Sequence, residues 1–194
     1  LLQPQPGERI LDACAGLGAK STHLAQIMEN QGEIIALDNQ GWKLTRLVEN
    51  AQRLEVTCIE PVEMDVLEVV PFGDEFFFDR ILLDAPCTGL GVIRRNPDIK
   101  WKVKPRDFRR LHLVQKKMLE RLAPLLKPGG VLLYATCTLS KEENQETVQG
   151  FLADHPNYQP ESARPYLPPK SAGLVGQSGA MQSWPHRHEV DGFF

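Results

Sequence analysis

The sequence predicts an α/β domain in which helices cover a mainly parallel, doubly wound sheet. Short apolar segments alternate with amphipathic segments of helical length along most of the chain. The segment that ends at Leu83 is nearly all apolar, which is typical of a strand covered on both faces. With 194 residues, of which 42% are hydrophobic and 24% charged, the chain is long enough to bury the core of one ordinary domain.

Apolar runs and turn residues place the elements in order. The predicted strands are Glu8–Asp12, Glu33–Leu37, Val56–Ile59, Phe76–Leu83 and Val131–Ala135. The predicted helices are Lys20–Glu29, Trp42–Leu54, one that opens at Pro105, and one that runs from a capping box of Ser140 and Glu143 to about Asp154. Residues 85–104 form a long loop, a feature that is usually functional in compact domains. The Pro- and Gly-rich residues 156–189 carry only a weak pattern.

The mild net charge of −3 conceals a strongly uneven distribution. Residues 94–127, called the basic segment below, hold 12 Lys and Arg against 3 Asp and Glu, whereas the rest of the chain holds 10 against 22. Phosphates attract such one-signed positive charge, and the interleaved Trp101 and Phe108 can stack on unpaired bases. A solvated helix face is the alternative, but the excess starts seven residues after Cys87 and favours nucleic acid.

The four cysteines are Cys14, Cys58, Cys87 and Cys137, and no CxxC pair exists among them. The spacing excludes zinc-ribbon and thioredoxin-type sites. The sparse cysteines and the lack of a visible signal peptide predict a cytoplasmic protein. No apolar run approaches the ~18 residues of a membrane span, so no membrane partner is expected. His186 and His188 lack a carboxylate constellation, so no metal is expected.

The chain begins at Leu1 and ends at Asp191-Gly-Phe-Phe194, within an apparent strand. These ends predict a single domain, residues 1–194, taken from a longer protein.

In open α/β sheets, ligands bind at the carboxyl ends of the strands. Here that edge would carry residues 12–19, 38–40, 65–67, 84–95 and 136–140. Gly16 and Gly18 let the backbone approach a ligand ahead of a helix N-terminus, Asp38 can accept hydrogen bonds from a ribose, and Asp65 can meet an adenine edge. Three such features at successive strand ends suit a cofactor that contains adenosine, although Ser21 breaks the dinucleotide fingerprint.

The ends of the fourth and fifth strands carry reactive groups. Asp84 follows an all-apolar strand, where an acid is costly unless it is paired or used. Cys87 follows at once, and Cys137 lies just past the fifth strand near a helix N-terminus, whose positive end can lower a thiol pKa. Adjacent strand ends can bring the two thiols into one pocket. Cys58 is expected to be core, and Cys14 to contact the cofactor through its backbone.

Three segments resemble the catalytic domain of RNA cytosine-C5 methyltransferases of the Sun/Fmu and nucleolar p120 type, and most of all their bacterial 16S rRNA branch. They are Asp84-Ala-Pro-Cys-Thr-Gly-Leu-Gly-Val-Ile-Arg-Arg-Asn-Pro-Asp-Ile-Lys-Trp101, Ala135-Thr-Cys-Thr-Leu-Ser-Lys-Glu-Glu-Asn144 and Asp191-Gly-Phe-Phe194. The family's Cys-Ala-Ala-Pro-Gly-Gly-Lys-Thr motif is altered here to Cys14-Ala-Gly-Leu-Gly-Ala-Lys-Ser21, and Asn96 replaces an expected His.

The resemblance implies a Rossmann-like fold that binds S-adenosyl-L-methionine and methylates RNA, with rRNA as the expected partner, and a monomeric enzyme whose N-terminal RNA-binding domain is absent from this chain. The implied cofactor residues are Cys14, Ala15, Gly16, Leu17, Gly18, Ala19, Lys20, Asp38, Asp65 and Asp84. The RNA-binding residues are expected to be Arg94, Arg95, Lys100, Trp101 and Lys102.

The same resemblance assigns the catalytic roles. Cys137 is the nucleophile that adds to cytosine C6, Asp84 hydrogen-bonds the N3/N4 edge, and Cys87 acts in release of the adduct. DNA cytosine-C5 methyltransferases use a Pro-Cys thiol instead, which would make Cys87 the nucleophile. An amino-group methyltransferase, or a non-catalytic RNA-binding or ribosome-assembly module with the same fold, are the alternative functions.

Overall fold

A computed structural model describes residues 1–68 and 77–194 of the chain. Within these residues five strands form one sheet in the order β3-β2-β1-β4-β5. The strands are β1 Arg9–Asp12, β2 Glu33–Asp38, β3 Ile59–Glu63, β4 Phe78–Asp84 and β5 Leu126–Ala135. β1 pairs in parallel with both β2 and β4, and β2 pairs in parallel with β3, as the alternation of strands and helices predicts.

Six α-helices connect or follow the described strands. They are α1 Ala19–Ile27, α2 Gly41–Arg53, α3 Ile99–Lys102, α4 Pro105–Leu122, α5 Thr147–Asp154 and α6 Pro185–His188. Short 3₁₀ turns lie at Leu90–Val92, Ala123–Leu125, Arg164–Tyr166 and Pro169–Leu174, and a π-helical turn at Glu142–Glu146 leads into α5. No helix of the described residues is both long and apolar enough to cross a membrane.

The chain forms two compact units. The first, called the sheet unit below, comprises Leu2–Asp84 and Met118–Tyr134. The second, called the thiol unit, comprises Leu1, Ala85–Lys117 and Ala135–Phe194. The core of the sheet unit is a cluster of buried aliphatic side chains from β1, β2 and α1 and from Met28, which directly follows α1. Ile10, Ile34 and Met28 are fully buried.

Two observed strands, both at an edge of the sheet, differ in their bounds from the predicted ones. The third strand is predicted at Val56–Ile59 but runs over Ile59–Glu63, so Cys58 precedes it and is half-buried against the core. The fifth begins at Leu126 and includes Pro128, which the sequence assigns to a turn. Proline is tolerated in an edge strand where no ladder hydrogen bond needs its nitrogen. A strand that contains proline is therefore predicted to be too short when proline is taken as a turn residue.

The other predicted elements lie close to their observed positions. The fourth strand is predicted from Phe76, which lies outside the described residues, and is observed from Phe78 to Asp84. At the chain end Phe193 forms an isolated bridge with Ser183, and the backbone N–H and C=O of Phe194 each bond Thr136. The predicted loop 85–104 contains a 3₁₀ turn and α3.

The predicted capping box is half correct. The Ser140 hydroxyl accepts a hydrogen bond from the backbone N–H of Glu143 at 3.2 Å, as expected. The Glu143 carboxylate, however, does not return to the Ser140 N–H, which donates instead to Thr138 Oγ1 at 3.4 Å. The carboxylate is engaged elsewhere in the thiol unit, and the segment begins as a π-helical turn, a form frequent at functional sites.

Candidate active site

The thiol unit brings Cys87 and Cys137 into direct contact. Their Sγ atoms lie 3.3 Å apart, far beyond the ~2.05 Å of a disulfide, so the pair is a thiol–thiol hydrogen bond. Cys137 lies two residues after Ala135, where β5 ends, and Cys87 lies in the loop that begins at Ala85. The backbone N–H of Ala85 donates to the carbonyl of Ala135 at 2.8 Å, which ties the two segments together just ahead of the sulfurs.

The contact couples the ionisation of the two sulfurs. The hydrogen bond with Cys137, followed by burial, raises the pKa of Cys87 well above its ordinary value. Either sulfur can be the donor of this hydrogen bond, and a thiolate on one sulfur would be stabilised by the S–H of the other.

A fully buried carboxylate, predicted from the sequence only as part of a capping box, contacts the residues that follow both cysteines. Glu143 accepts hydrogen bonds from the Thr88 backbone N–H at 2.9 Å and the Thr88 hydroxyl at 2.6 Å. The Thr138 hydroxyl lies 3.3 Å from the same oxygen as the Thr88 hydroxyl, and Gln115 Nε2 donates at 3.1 Å to the other oxygen. Thr88 and Thr138 each directly follow one of the cysteines in sequence.

In the sheet unit, the loop after β1 contains two glycines in left-handed backbone conformations. Gly16 and Gly18 have φ values of 57° and 85°, in the left-handed region that favours glycine. A Cβ at Gly18 would press on the Leu47 side chain, whereas a Cβ at Gly16 would meet nothing within 4 Å. The loop is therefore packed at its helix end and open at Gly16.

Asp38, at the end of β2, holds this loop in place. One of its carboxylate oxygens accepts the Gly16 N–H at 3.0 Å, and the other accepts the Gln40 N–H at 3.0 Å and lies 3.5 Å from Lys43 Nζ. Asp65 lies beyond β3, where it accepts from the Leu67 N–H at 2.9 Å. Asp38 is thus bonded to the glycine loop, while Asp65 caps its own turn and also lies 3.4 Å from Asn39 Nδ2.

Two acidic side chains, Asp12 and Asp84, lie at the ends of β1 and β4, and the charge of Lys20 acts on both. Lys20 forms an ion pair with Asp84, and Ser21 donates to Asp12 Oδ2 at 2.7 Å. Asp12 is fully buried, and its second oxygen, Oδ1, has no partner among residues 1–68 and 77–194. Burial, with the nearby Asp84 charge as a smaller cause, raises the pKa of Asp12 to about 6.

Asp12 is not among the site residues predicted from the sequence. The signal was present, because Asp12 ends an apolar strand just as Asp84 does. Among the remaining loop residues, Ala15 is buried, Leu17 is exposed, and Ala19 opens α1. Burial raises the pKa of Cys14 above its ordinary value, so this side chain is a neutral thiol.

The basic segment is less available than its charge count suggests. Arg95 Nε and Arg94 Nη2 bind the two oxygens of Asp191, at 2.6 and 3.2 Å. Asp191 is only 8% exposed, so these ion pairs anchor the C-terminal residues. Lys102 pairs with Asp98 one helical turn away. Three of the five residues expected to bind RNA therefore have acidic partners within the thiol unit.

The other two, Lys100 and Trp101, are both exposed. Trp101 is 78% exposed on the short helix α3, and Lys100 Nζ lies 5.2 Å from its ring centroid. Exposed Arg106, Arg109 and Lys117 follow on α4 and have no ion pair among the described residues. An aromatic face beside unpaired cations is a surface that suits an unpaired base and its phosphates.

Metal ligands do not assemble in the part of the chain that the structure describes: no group of three or more His, Cys, Asp or Glu there could hold a metal ion. His188 Nδ1 instead accepts a hydrogen bond from the Trp184 N–H at 2.9 Å.

Known proteins are similar to this chain in both sequence and fold. The curated "Probable ribosomal RNA small subunit methyltransferase B" of Bacillus subtilis is 43% identical over all 194 residues, which span 43% of that protein. The "Ribosomal RNA small subunit methyltransferase B" of Yersinia pseudotuberculosis is 42% identical, again over the whole chain and 42% of its own length. The chain thus spans less than half the length of these relatives.

Solved structures are also similar to this chain. The crystal structure of PH0851 superposes with a TM-score of 0.90 at 37% identity and covers 99% of this chain and 42% of its own. NSun6 from Pyrococcus horikoshii, solved with SFG, superposes with a TM-score of 0.85 at 34% identity, over 99% of this chain and 47% of its own. The sheet is therefore the Rossmann-like sheet of S-adenosylmethionine-dependent methyltransferases.

The family model described as 16S rRNA methyltransferase RsmB/F matches residues 1–194. S-adenosyl-L-methionine is the methyl donor that this family implies. With the whole sequence matched, the chain belongs to the RsmB/F family of 16S rRNA methyltransferases.

Proposed function

We propose that this chain methylates cytosine C5 in 16S rRNA through a covalent bond between Cys137 and cytosine C6. The 3.3 Å contact between the Cys87 and Cys137 sulfurs carries the proposal. A methyltransferase that acts on an exocyclic amine needs no thiol, whereas C5 methylation needs one sulfur to attack C6 and a group to assist its departure. A buried pair of unlinked thiols suits that division of labour.

The sheet unit fits the cofactor. Open space beside Gly16, the carboxylate of Asp38 at the same loop, and the orphaned buried Oδ1 of Asp12 are features that a polar ligand would complete. Gly16 and Asp38 would hold the adenosine part, and Asp12 with Lys20 and Asp84 would face the charged amino acid part. When bound, S-adenosylmethionine supplies the electrophilic methyl group that C5 accepts.

Cys137 starts the reaction by adding its thiolate to C6. The new S–C6 bond moves a π electron pair toward C5, which converts the weakly nucleophilic ring carbon into an enamine-like centre. Cys87, held as a thiol, stabilises the Cys137 thiolate before attack through its S–H. The target base must leave its stack to reach the sulfur.

Asp84 binds the N3/N4 edge of the base and holds a proton at N3 as charge develops on the ring. Its Oδ2 is fixed by Lys20, so the carboxylate has a defined orientation. After methylation a base takes the C5 proton, the C5–H electron pair forms the C5=C6 double bond, and the S–C6 bond breaks with its electron pair returning to the Cys137 thiolate. Cys87 acts in this release.

The RNA is held through the basic segment, chiefly by Trp101 and Lys100, with Arg94, Arg95 and Lys102 contributing charge beside their acidic partners. We further propose that residues 1–194 are one methyltransferase domain of a longer cytoplasmic protein, which acts as a monomer and without a metal. An N-terminal RNA-binding domain of the longer protein would add affinity for the rRNA.

Incubation of the full-length protein with labelled S-adenosylmethionine and unmodified 16S rRNA tests the proposal. We expect label at C5 of a cytosine, no transfer by Cys137→Ala, and a stalled RNA adduct with Cys87→Ala. Cys58→Ala, which changes a thiol outside the pair, is the matched control and should methylate normally. Label on an exocyclic amine, or turnover by Cys137→Ala, would contradict the assignment.

A further inference from the structure

Glu143 is a fully buried carboxylate that the proposed chemistry does not use. We propose that Glu143 is a positioning residue, which holds the Cys87 and Cys137 loops at the sulfur-to-sulfur distance that the reaction requires. This inference rests on the proposed function for its catalytic meaning, but the positioning itself is a property of the thiol unit alone.

The Cys87 loop is bound to Glu143 at two points. Thr88, the residue after Cys87, gives its backbone N–H to one carboxylate oxygen at 2.9 Å and its hydroxyl to the other at 2.6 Å. Gln115 Nε2 donates to Glu143 at 3.1 Å and also to the Pro86 carbonyl at 2.9 Å. The residues on both sides of Cys87 are therefore tied to Glu143, one directly and one through Gln115.

The Cys137 loop is bound in the same manner. The Thr138 hydroxyl lies 3.3 Å from Glu143 Oε1 and 2.8 Å from the Thr88 hydroxyl. The neighbouring Asn144 accepts from the Thr136 hydroxyl at 2.6 Å and donates to the Thr138 carbonyl at 3.0 Å. Glu143 and Asn144 thus hold the residues on both sides of Cys137 from a single turn of helix.

A carboxylate matches this set of donors best. Four groups of Thr88, Thr138 and Gln115 point at two oxygens, and a carboxylate offers about four acceptor positions. Glutamine can replace it in part: its oxygen can face the Thr88 N–H and Gln115, while its NH₂ donates to a reversed Thr88 hydroxyl. Leucine would leave these buried donors without the acceptor that Glu143 supplies.

The first test measures the sulfur positions without any RNA. Diamide oxidises two neighbouring thiols to one disulfide and is reduced to the hydrazine, which takes up both thiol protons. The rate of Cys87–Cys137 disulfide formation in the full-length protein, read by peptide mass spectrometry, reports how well the sulfurs are held together. We expect Glu143→Leu to slow closure on the order of tenfold or more, and Glu143→Gln to restore most of the rate.

The second test measures methyl transfer. We expect Glu143→Leu to lower kcat about 100-fold with little change in KM for RNA or in cofactor affinity, because positioning acts on the reacting atoms and not on binding. Glu146→Gln, the same chemical change at an exposed carboxylate one turn along, is the matched control for Glu143→Gln and should behave as wild type.

The outcomes separate the two proposals. If wild type does not methylate cytosine C5 but Glu143→Leu still slows disulfide closure, the proposed function fails and the positioning stands. If Glu143→Leu is folded and both its closure rate and its kcat equal those of wild type, the positioning role is wrong. Should Glu143→Leu not fold, Thr88→Val and Thr88→Ser replace it: the valine variant must show the loss and the serine variant must restore closure, and equal rates would refute the proposal.

Discussion

Replacing Asp12 with asparagine perturbs the electrostatics at the end of β1. The Asp12 carboxyl is fully buried, bonded to Ser21 through Oδ2, and without a partner at Oδ1 among the described residues. Burial raises its pKa from 3.8 to about 6, with Asp84 adding to the increase and Ser21 and Lys20 opposing it. The native state therefore binds this proton more tightly than the unfolded chain does.

The size of the effect follows from the pKa difference. At about 1.4 kcal/mol per pKa unit, the ionised carboxyl costs the native state about 3 kcal/mol. A raised native pKa gives stability that is fully present below about pH 3.8 and is lost as the pH rises through about 6. Between about pH 5 and about pH 8, the wild type should lose about 1.4 kcal/mol relative to the Asp12→Asn variant, which has no carboxyl to ionise.

Urea unfolding of both proteins, followed by tryptophan fluorescence at about pH 5 and about pH 8, measures this difference. The asparagine carries its own pH-independent cost of about 1–3 kcal/mol, because its amide N–H would meet the position where Oδ1 has no partner. The prediction is therefore tested by how the difference in unfolding free energy between the two proteins changes with pH, and not by the sign of that difference at a single pH. A free-energy difference between the two proteins that stays constant with pH would refute it.

Three further substitutions test other parts of the account. Gly18→Ala should lower the unfolding free energy by about 1–3 kcal/mol in thermal denaturation, because φ is +85° and the added Cβ would press on Leu47. Asp38→Asn should weaken S-adenosylmethionine binding about tenfold in calorimetry, since the carboxylate that orients the glycine loop is lost. Lys100→Glu combined with Trp101→Ala should weaken RNA binding by about 1–3 kcal/mol or more and leave cofactor affinity unchanged; an equal loss of both affinities would point to misfolding.

The sequence predicts the contact between the two thiols but not the group that holds them. Adjacent strand ends meet at one edge of a sheet, so the residues after β4 and β5 are brought close by topology alone. Glu143, by contrast, lies three residues after Ser140, a spacing that favours a local capping box. Its main partner, Thr88, is 55 residues away in sequence, and no local pattern encodes that pairing.

The basic segment shows the same limit. A run of like charges predicts a surface open to phosphates, and Trp101 with Lys100 fits that prediction. Arg94 and Arg95 pair with Asp191, nearly 100 residues away, which only the fold reveals. Charge reversal at these arginines would place acids beside a buried carboxylate, so it would perturb the C-terminal residues as well as RNA binding.

The most direct measurement of the central claim is the identity of the cysteine that becomes bonded to RNA. The full-length Cys87→Ala variant is incubated with S-adenosylmethionine and 16S rRNA, and the adduct that survives denaturation is digested and mapped by mass spectrometry. The account predicts a nucleotide attached through C6 to Cys137 and none with Cys137→Ala. A nucleotide on another cysteine, or an adduct that persists without Cys137, would contradict it.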